Sequence, residues 1–376
     1  MPLDVVILGA GFGGLELTTR LSEEVPDDVN VTLIDQNDSF LFGFSKLDVM
    51  FGRHPIDSVR MRYADIAKPS VEFRQERVTA IDPAAKRVVT DRASYDADVL
   101  VIALGADLDP GATPGLEEGG YEFYSVAGAE RLRDVLPSFE GGAAVVAVLG
   151  PFFKCPAAPF EAALMLHDFM STRPAPKPTT IKVMSPMGAA IPISPVASAG
   201  ILATLAERDI EFFPETIVTS LDPAQRVASL RDGGTVPYDL FLGVPVHKAP
   251  AVVEESGLTV DGWIPVDPAT FATEFPDVYA VGDITSAPVP RVGVMAEGEA
   301  STVADVLVHR IAGGASPAPF QGIVTCYIES GGDRVARFEA DFLTGPSPTS
   351  TYTEASVEMA ASKKEFGSSR RQRWFA

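Results

Sequence analysis

The chain has 376 residues, of which 46% are hydrophobic, and carries a formal charge of −21. That length exceeds what one hydrophobic core normally supports, so two or three domains are expected. The acid excess is spread along most of the sequence, which argues against nucleic acid as a partner, because phosphate binding needs a basic face.

No apolar run approaches the roughly 18 to 20 residues of a membrane span, and Met1 leads straight into an apolar strand without a basic, cleavable leader. A cytoplasmic location is the expectation. The two cysteines, Cys155 and Cys326, are too few for a disulfide scaffold and the wrong count for structural zinc. The four histidines, His54, His167, His247 and His309, show no metal-ligand spacing, so no metal site is expected. In a reducing compartment a lone cysteine pair is either inert filler or redox machinery.

Taken in chain order, Leu3 to Leu8 reads as an apolar strand, Gly9 to Gly14 as a glycine turn, Leu15 to Glu24 as a helix and Val29 to Ile34 as a second strand. This is a βαβ start. Val71 to Ile81 and Lys86 to Thr90 alternate as strands do, and the continuous apolar run Val99 to Leu104 suits a buried parallel strand. A second unit repeats the layout: strand Ala143 to Leu149, a turn, helix Ala158 to Met170 and strand Thr180 to Met184. Helix Ala197 to Arg208 and strands near 212–218, 226–230 and 239–244 follow. It reads as a diverged copy of the first fold inserted into it. The fold class expected is α/β, with two Rossmann-like dinucleotide-binding domains and a small C-terminal domain. The first domain is discontinuous, at 1–108 and 258–316; the second spans 109–257; the C-terminal one spans 317–376.

Gly9, Gly11 and Gly14 sit between a strand and a helix, where their spacing is informative. Gly9 permits the tight turn, Gly11 lets backbone N–H groups approach a pyrophosphate, and Gly14 lets helix and strand pack closely. Asp35, at the end of the second strand, can accept both ribose hydroxyls of a dinucleotide. The late segment 278–283 is a short strand ending in Gly282-Asp283, where an acid can bond a flavin's ribityl chain. Together with Gly105 in Ala103-Leu104-Gly105-Ala106, the order of these motifs resembles the pyridine nucleotide-disulfide oxidoreductase superfamily. The resemblance implies a glutathione-reductase-like fold and FAD, rather than NAD, in the first site. No cysteine lies near Phe40 to Ser45, so the FAD is expected to be non-covalent.

The second strand-to-helix turn reads Gly150-Pro151-Phe152-Phe153-Lys154-Cys155-Pro156 and lacks the second and third glycines. A nicotinamide pyrophosphate would meet two phenylalanines and a proline there. The next strand ends at Met184-Ser185 with no acid for ribose, so NAD(P)H is disfavoured. Cys155 precedes a helix carrying Glu161 in its first turn and has Lys154 beside it; helix dipole and lysine together would stabilise a thiolate. Taken alone, either cysteine can equally be apolar filler.

The segment Lys154 to Glu161 resembles sulfide:quinone oxidoreductases and the flavocytochrome c sulfide dehydrogenase flavoprotein, as do Gly243-Val244-Pro245-Val246-His247 and Ala296-Glu297-Gly298-Glu299. The resemblance implies a flavin-facing pair, Cys155 and Cys326, that oxidises sulfide to sulfane sulfur or polysulfide and passes electrons through FAD to a quinone. It also implies that Cys326 acts on the flavin while Cys155 carries the persulfide. Glu161 is the candidate for proton handling beside Cys155. A rival enzyme is a type II NADH:quinone dehydrogenase, and a rival from another class is a non-catalytic FAD-binding redox sensor. The last 14 residues hold Lys363, Lys364, Arg370, Arg371 and Arg373 against Glu365, then Trp374-Phe375. That pattern suits peripheral contact with an anionic membrane surface; a solvated tail or a subunit contact is the alternative. Homo-oligomerisation is left open.

Overall fold

The computed structural model describes residues 1–174, 177–314 and 316–376. Its first stretch runs β1 (Leu3–Leu8), α1 (Phe12–Glu24), β2 (Val29–Asp35), α2 (Gly43–Met50), β3 (Val71–Gln75) and β4 (Val99–Ile102). A second stretch runs β5 (Tyr121–Glu122), α3 (Val126–Val135), β6 (Gly142–Val148), α4 (Ala158–Ser171), β7 (Thr179–Met184), α5 (Pro195–Ala206), β8 (Ile210–Phe213) and β9 (Leu240–Val244). Then come β10 (Val278–Ala280) and α6 (Gly293–Ala312), followed by β11 (Ile323–Glu329), β12 (Val335–Asp341), β13 (Thr349–Ser356) and α7 (Val357–Phe375).

Two five-stranded sheets result, ordered β10-β4-β1-β2-β3 and β5-β9-β6-β7-β8, with every strand pair parallel. Their central strands are apolar along nearly their whole length, as sheets covered on both faces require: Val99 to Ile102 and Leu240 to Val244 are entirely buried. Four strands match position for position, β4-β1-β2-β3 with β9-β6-β7-β8, while the edge strand is the last of the first sheet in chain order and the first of the second; in each half the third parallel strand of the βαβ run is followed by a three-stranded antiparallel meander, at 78–96 and 218–237. The α/β class with two Rossmann-like sheets is therefore as expected. The expected strand from Val71 to Ile81 is instead two strands. Glu76 ends β3 by donating its N–H to the Asp35 carbonyl at 2.9 Å, while its carboxylate turns onto the hydroxyls of Thr90 and Tyr95 at 2.6 and 2.9 Å.

The C-terminal segment engages most of the basic tail within the chain. It is the last part of α7, and three of its basic side chains bind the protein's own acidic surface. Lys363 pairs with Glu329 at 2.6 Å, Arg370 with Glu297 at 2.8 Å and Arg373 with Glu16 at 2.5 Å. Trp374 is fully buried and donates its indole N–H to Glu16 at 2.9 Å. Only Lys364 and Arg371 of the five basic residues stay exposed. Trp374 is thus core rather than an aromatic anchor at headgroup level. Among the described residues no helix is long and apolar enough to cross a membrane.

Candidate active site

The turn between β1 and α1 builds an anion cradle. Gly9 has φ of +97°, and a Cβ there would run into the Ala103 carbonyl; a Cβ on Gly14 would strike the Gly9 oxygen. Gly11, by contrast, faces open space. At the N-terminus of α1 the amides of Phe12, Gly13 and Gly14 find no acceptor within the described chain. Three unpartnered donors behind a bare glycine fit a dinucleotide pyrophosphate. Asp35 sits beside them, accepting the Ala10 N–H at 2.8 Å on one oxygen and the Asn37 N–H and side-chain amide, both at 2.8 Å, on the other. It holds the turn and still presents lone pairs on an incompletely buried carboxylate.

On the neighbouring strand ends, Gly105 (φ +67°) and Gly282 (φ +83°) lie where β4 and β10 stop. The Gly282 N–H donates to Glu299 at 2.5 Å, and burial pushes that carboxyl up to about 8. Burial also raises Asp283, opposed by the charges of Lys154, Arg291 and Lys46. Arg291 reaches the Asp283 backbone carbonyl at 2.9 Å and stacks on Trp263 with its guanidinium carbon 4.0 Å from the ring centre. Asp283 is therefore an acid among three cations in a protein of large negative charge. The residues fit FAD: the α1 amides would hold its pyrophosphate, Asp35 its ribose and Asp283 its ribityl chain. Helix α6 begins beside these residues, and its first turn lines the small cavity containing Gly282, Asp283 and Arg291.

The second turn, between β6 and α4, is built for another purpose. Cys155 takes a left-handed conformation (φ +56°), rarely adopted by a side-chain-bearing residue. It is fixed there by its N–H on the Arg291 carbonyl at 2.8 Å, and by its own carbonyl, which accepts the Ala158 N–H at 3.0 Å and the Tyr124 hydroxyl at 3.3 Å. Helix α4 packs on β11, which carries Cys326, a partly buried member of the same core cluster. Cys326 is among the groups raising the Cys155 thiol, and Glu161 raises both. The fold thus brings the two cysteines and Glu161 into one cluster, with both thiols free.

The resting charge state differs from the expected thiolate. Although Cys155 retains exposed surface, desolvation by the surrounding protein pushes its thiol far above the ordinary range, with Glu161 and Cys326 adding to the effect. Desolvation and Glu161 push Cys326 up to about 12. Lys154 is not the stabilising cation, because its ammonium turns away to the Ala106 carbonyl at 3.2 Å. Lys46 takes that role and opposes the rise at Cys155. Glu161 is buried, accepts the Glu329 N–H at 2.9 Å and is raised by burial to about 7.

Sequence reasoning missed Lys46, Tyr124 and Arg291. None sits in a recognisable motif, and each enters the site only through packing of α2, of the turn before α3, and of the turn before α6. His247 belonged to a quoted segment without an assigned role. It is buried beside Tyr124, with Nδ1 donating to the Pro245 carbonyl at 2.9 Å and Nε2 unpartnered. Burial holds it neutral, at about 4.

Among proteins of known identity, the chain is 25% identical over 370 residues to the mitochondrial sulfide:quinone oxidoreductase of Mus musculus, covering 94% of this chain and 81% of that protein. A 136-residue stretch is 32% identical to the type II NADH:quinone oxidoreductase of Staphylococcus saprophyticus, but this spans only 34% of the chain and 32% of that enzyme. The solved structure of the sulfide:quinone oxidoreductase from Aquifex aeolicus superposes with a TM-score of 0.88 over 99% of this chain and 92% of that one, at 22% identity. The fold and the resemblance read from the motifs are thereby borne out. Residues 3–300 match the model of the pyridine nucleotide-disulphide oxidoreductase family, and the chain belongs to that family, as an FAD-binding oxidoreductase.

Proposed function

We propose that the protein oxidises sulfide to sulfane sulfur or polysulfide at Cys155 and Cys326, passing the electrons to a quinone by way of non-covalent FAD. The observation that carries this reading is the convergence of the chain's two cysteines, from α4's leading turn and from β11, on one cluster with Glu161. Sequence similarity over most of the chain to a named sulfide:quinone oxidoreductase supports it. In this reading hydrosulfide attacks a Cys155–Cys326 disulfide or sulfur bridge; one new S–S bond forms and one breaks, leaving a persulfide and a thiolate. Re-forming an S–S bond between that thiolate and the persulfide sulfur releases two electrons and lengthens the bridge by one sulfur; FAD, when bound, would supply the two-electron acceptance, with a quinone as the final acceptor. Glu161, poised near neutrality, takes the proton that sulfide oxidation releases. Tyr124 and the Arg291 backbone hold the Cys155 turn in place.

The test is anaerobic titration of the purified yellow protein with sulfide, in the wild type and in Cys155→Ser and Cys326→Ser. Serine matches the thiol in size but forms no persulfide, so both variants should keep FAD and lose sulfide-dependent bleaching. Near wild-type bleaching in both would return the cysteines to the role of apolar filler.

A further inference from the structure

Lys46 borders the Cys155 turn and bonds a backbone carbonyl rather than a carboxylate. It projects from α2, a helix carrying no recognised motif, and donates from Nζ to the Tyr124 backbone carbonyl. The Tyr124 hydroxyl in turn donates to the Cys155 carbonyl at 3.3 Å. One residue therefore links the lysine to the cysteine turn through its two ends, and α2, Tyr124 and the start of α4 belong to the same core cluster.

We propose that Lys46 is a positioning residue of the Cys155 centre, its ammonium anchored on Tyr124 to supply the positive charge against which sulfur on Cys155 is held as an anion. The inference rests on the sulfide-oxidising reading for its purpose, but not for its test. The charges around the two groups agree with it. Around Cys155 stand Glu161 from α4, Cys326 from β11 and the Tyr124 hydroxyl, none of which favours a thiolate, and the Ala158 N–H, which favours it less than Lys46 does. Lys46 is the cation that does favour it. Around Lys46 stand Lys154, which repels it, and Glu122, Cys155 and Asp283, which favour its charge; burial, the largest effect, brings it down to about 8. A lysine so placed gives up its proton close to neutrality. The positive charge available to the sulfur then falls as pH rises through about 8.

The chain has two cysteines, so Cys326→Ser leaves Cys155 as the sole thiol. In that background the reduced, FAD-loaded protein is alkylated with iodoacetamide across pH 7 to 10, without sulfide or quinone, and flavin content is checked by absorbance. Lys46→Gln should move the pH profile of alkylation up by about one unit or more, slowing the reaction at pH 8 about tenfold. Lys46→Arg keeps its charge at every pH in the range and should move the profile down, so the order is Arg, Lys, Gln. Coincident profiles for all three, or the reverse order, overturn the proposal. If Lys46→Gln does not retain flavin, the comparison of Lys46→Arg with lysine decides alone. Failure here leaves sulfide-dependent bleaching untouched, whereas loss of the functional reading would show in the cysteine variants and not in this profile.

Discussion

Glu161 is a carboxyl whose ordinary value of 4.5 is lifted to about 7, chiefly by burial, while Lys363 and the Glu329 N–H draw it down. The sign of its contribution to stability follows. Between 4.5 and about 7 the folded chain holds a proton that the unfolded chain has lost, so folding becomes less favourable as pH rises through that window and levels off above it. Glu161→Gln removes the penalty. The variant should gain about 2 kcal/mol relative to wild type on going from pH 5.5 to pH 8, read from urea unfolding at the two values. Parallel stabilities at both pH values would mean that the carboxyl is not buried in the way described. The same residue shows what was legible at this scale. Its nearness to Cys155 followed from its place in the first turn of the helix that Cys155 precedes, and the dinucleotide roles of Gly9, Gly11, Gly14 and Asp35 followed likewise from local sequence. The charge state of Cys155 did not follow, because sequence adjacency placed Lys154 beside it while the actual side chain leaves for Ala106. Lys46 entered instead from a helix more than 100 residues earlier in the sequence.

Helix α7 pairs three of its five tail cations within the chain, for a physical reason. A run of basic residues ending in Trp-Phe looks the same whether its partner is an anionic membrane or an acidic face of the same protein. Here Glu16 of α1 and Glu297 of α6 provide that face. The consequence reaches the cofactor loop. Trp374 packs edge-on against Phe12 with ring centroids 5.6 Å apart and against Phe40 at 5.7 Å, and Phe12 is the first residue of α1, directly after Gly11. The C-terminal helix thus buttresses the amides that would hold the pyrophosphate. Trp374→Ala should cost about 3 to 5 kcal/mol of stability by emptying a fully buried site. It should also weaken FAD retention during dialysis, since the loop loses its backing. A variant with wild-type stability and flavin content would show that α7 merely rests on the domain.

At the scale of the molecule, two sheets that share the order of four strands carry two strand-to-helix turns that have diverged in opposite directions. The repeat was legible because hydrophobic runs and turns recur in the same order. The expectation that nicotinamide binding is disfavoured came from missing glycines, and the backbone of the second turn adds a physical reason for it. In the first turn three α1 amides are unpartnered; in the second, the Ala158 N–H is taken by the Cys155 carbonyl, Pro159 has none, and the amides of Phe160 and Glu161 both go to the Ala157 carbonyl. A helix start whose donors are already satisfied offers a pyrophosphate nothing beyond the weak field of the helix dipole. The Ala158 bond that holds Cys155 in its left-handed conformation consumes one of these donors, so placing the cysteine works against binding NADH at this turn. NADH should therefore fail to bleach the flavin anaerobically at concentrations where sulfide reduces it completely. Rapid bleaching by NADH would instead align the protein with the type II NADH:quinone oxidoreductases that it matches over a third of its length. A decisive control is the Phe152→Gly, Cys155→Gly double variant, which restores small residues to the turn. Glycine at 155 also tolerates the left-handed conformation without a side chain. With the Cys155 carbonyl still bonded to Ala158, that variant should remain unresponsive to NADH, because the obstacle is the satisfied amides rather than bulk. Acquisition of NADH-dependent bleaching would show that side-chain volume alone had closed the site.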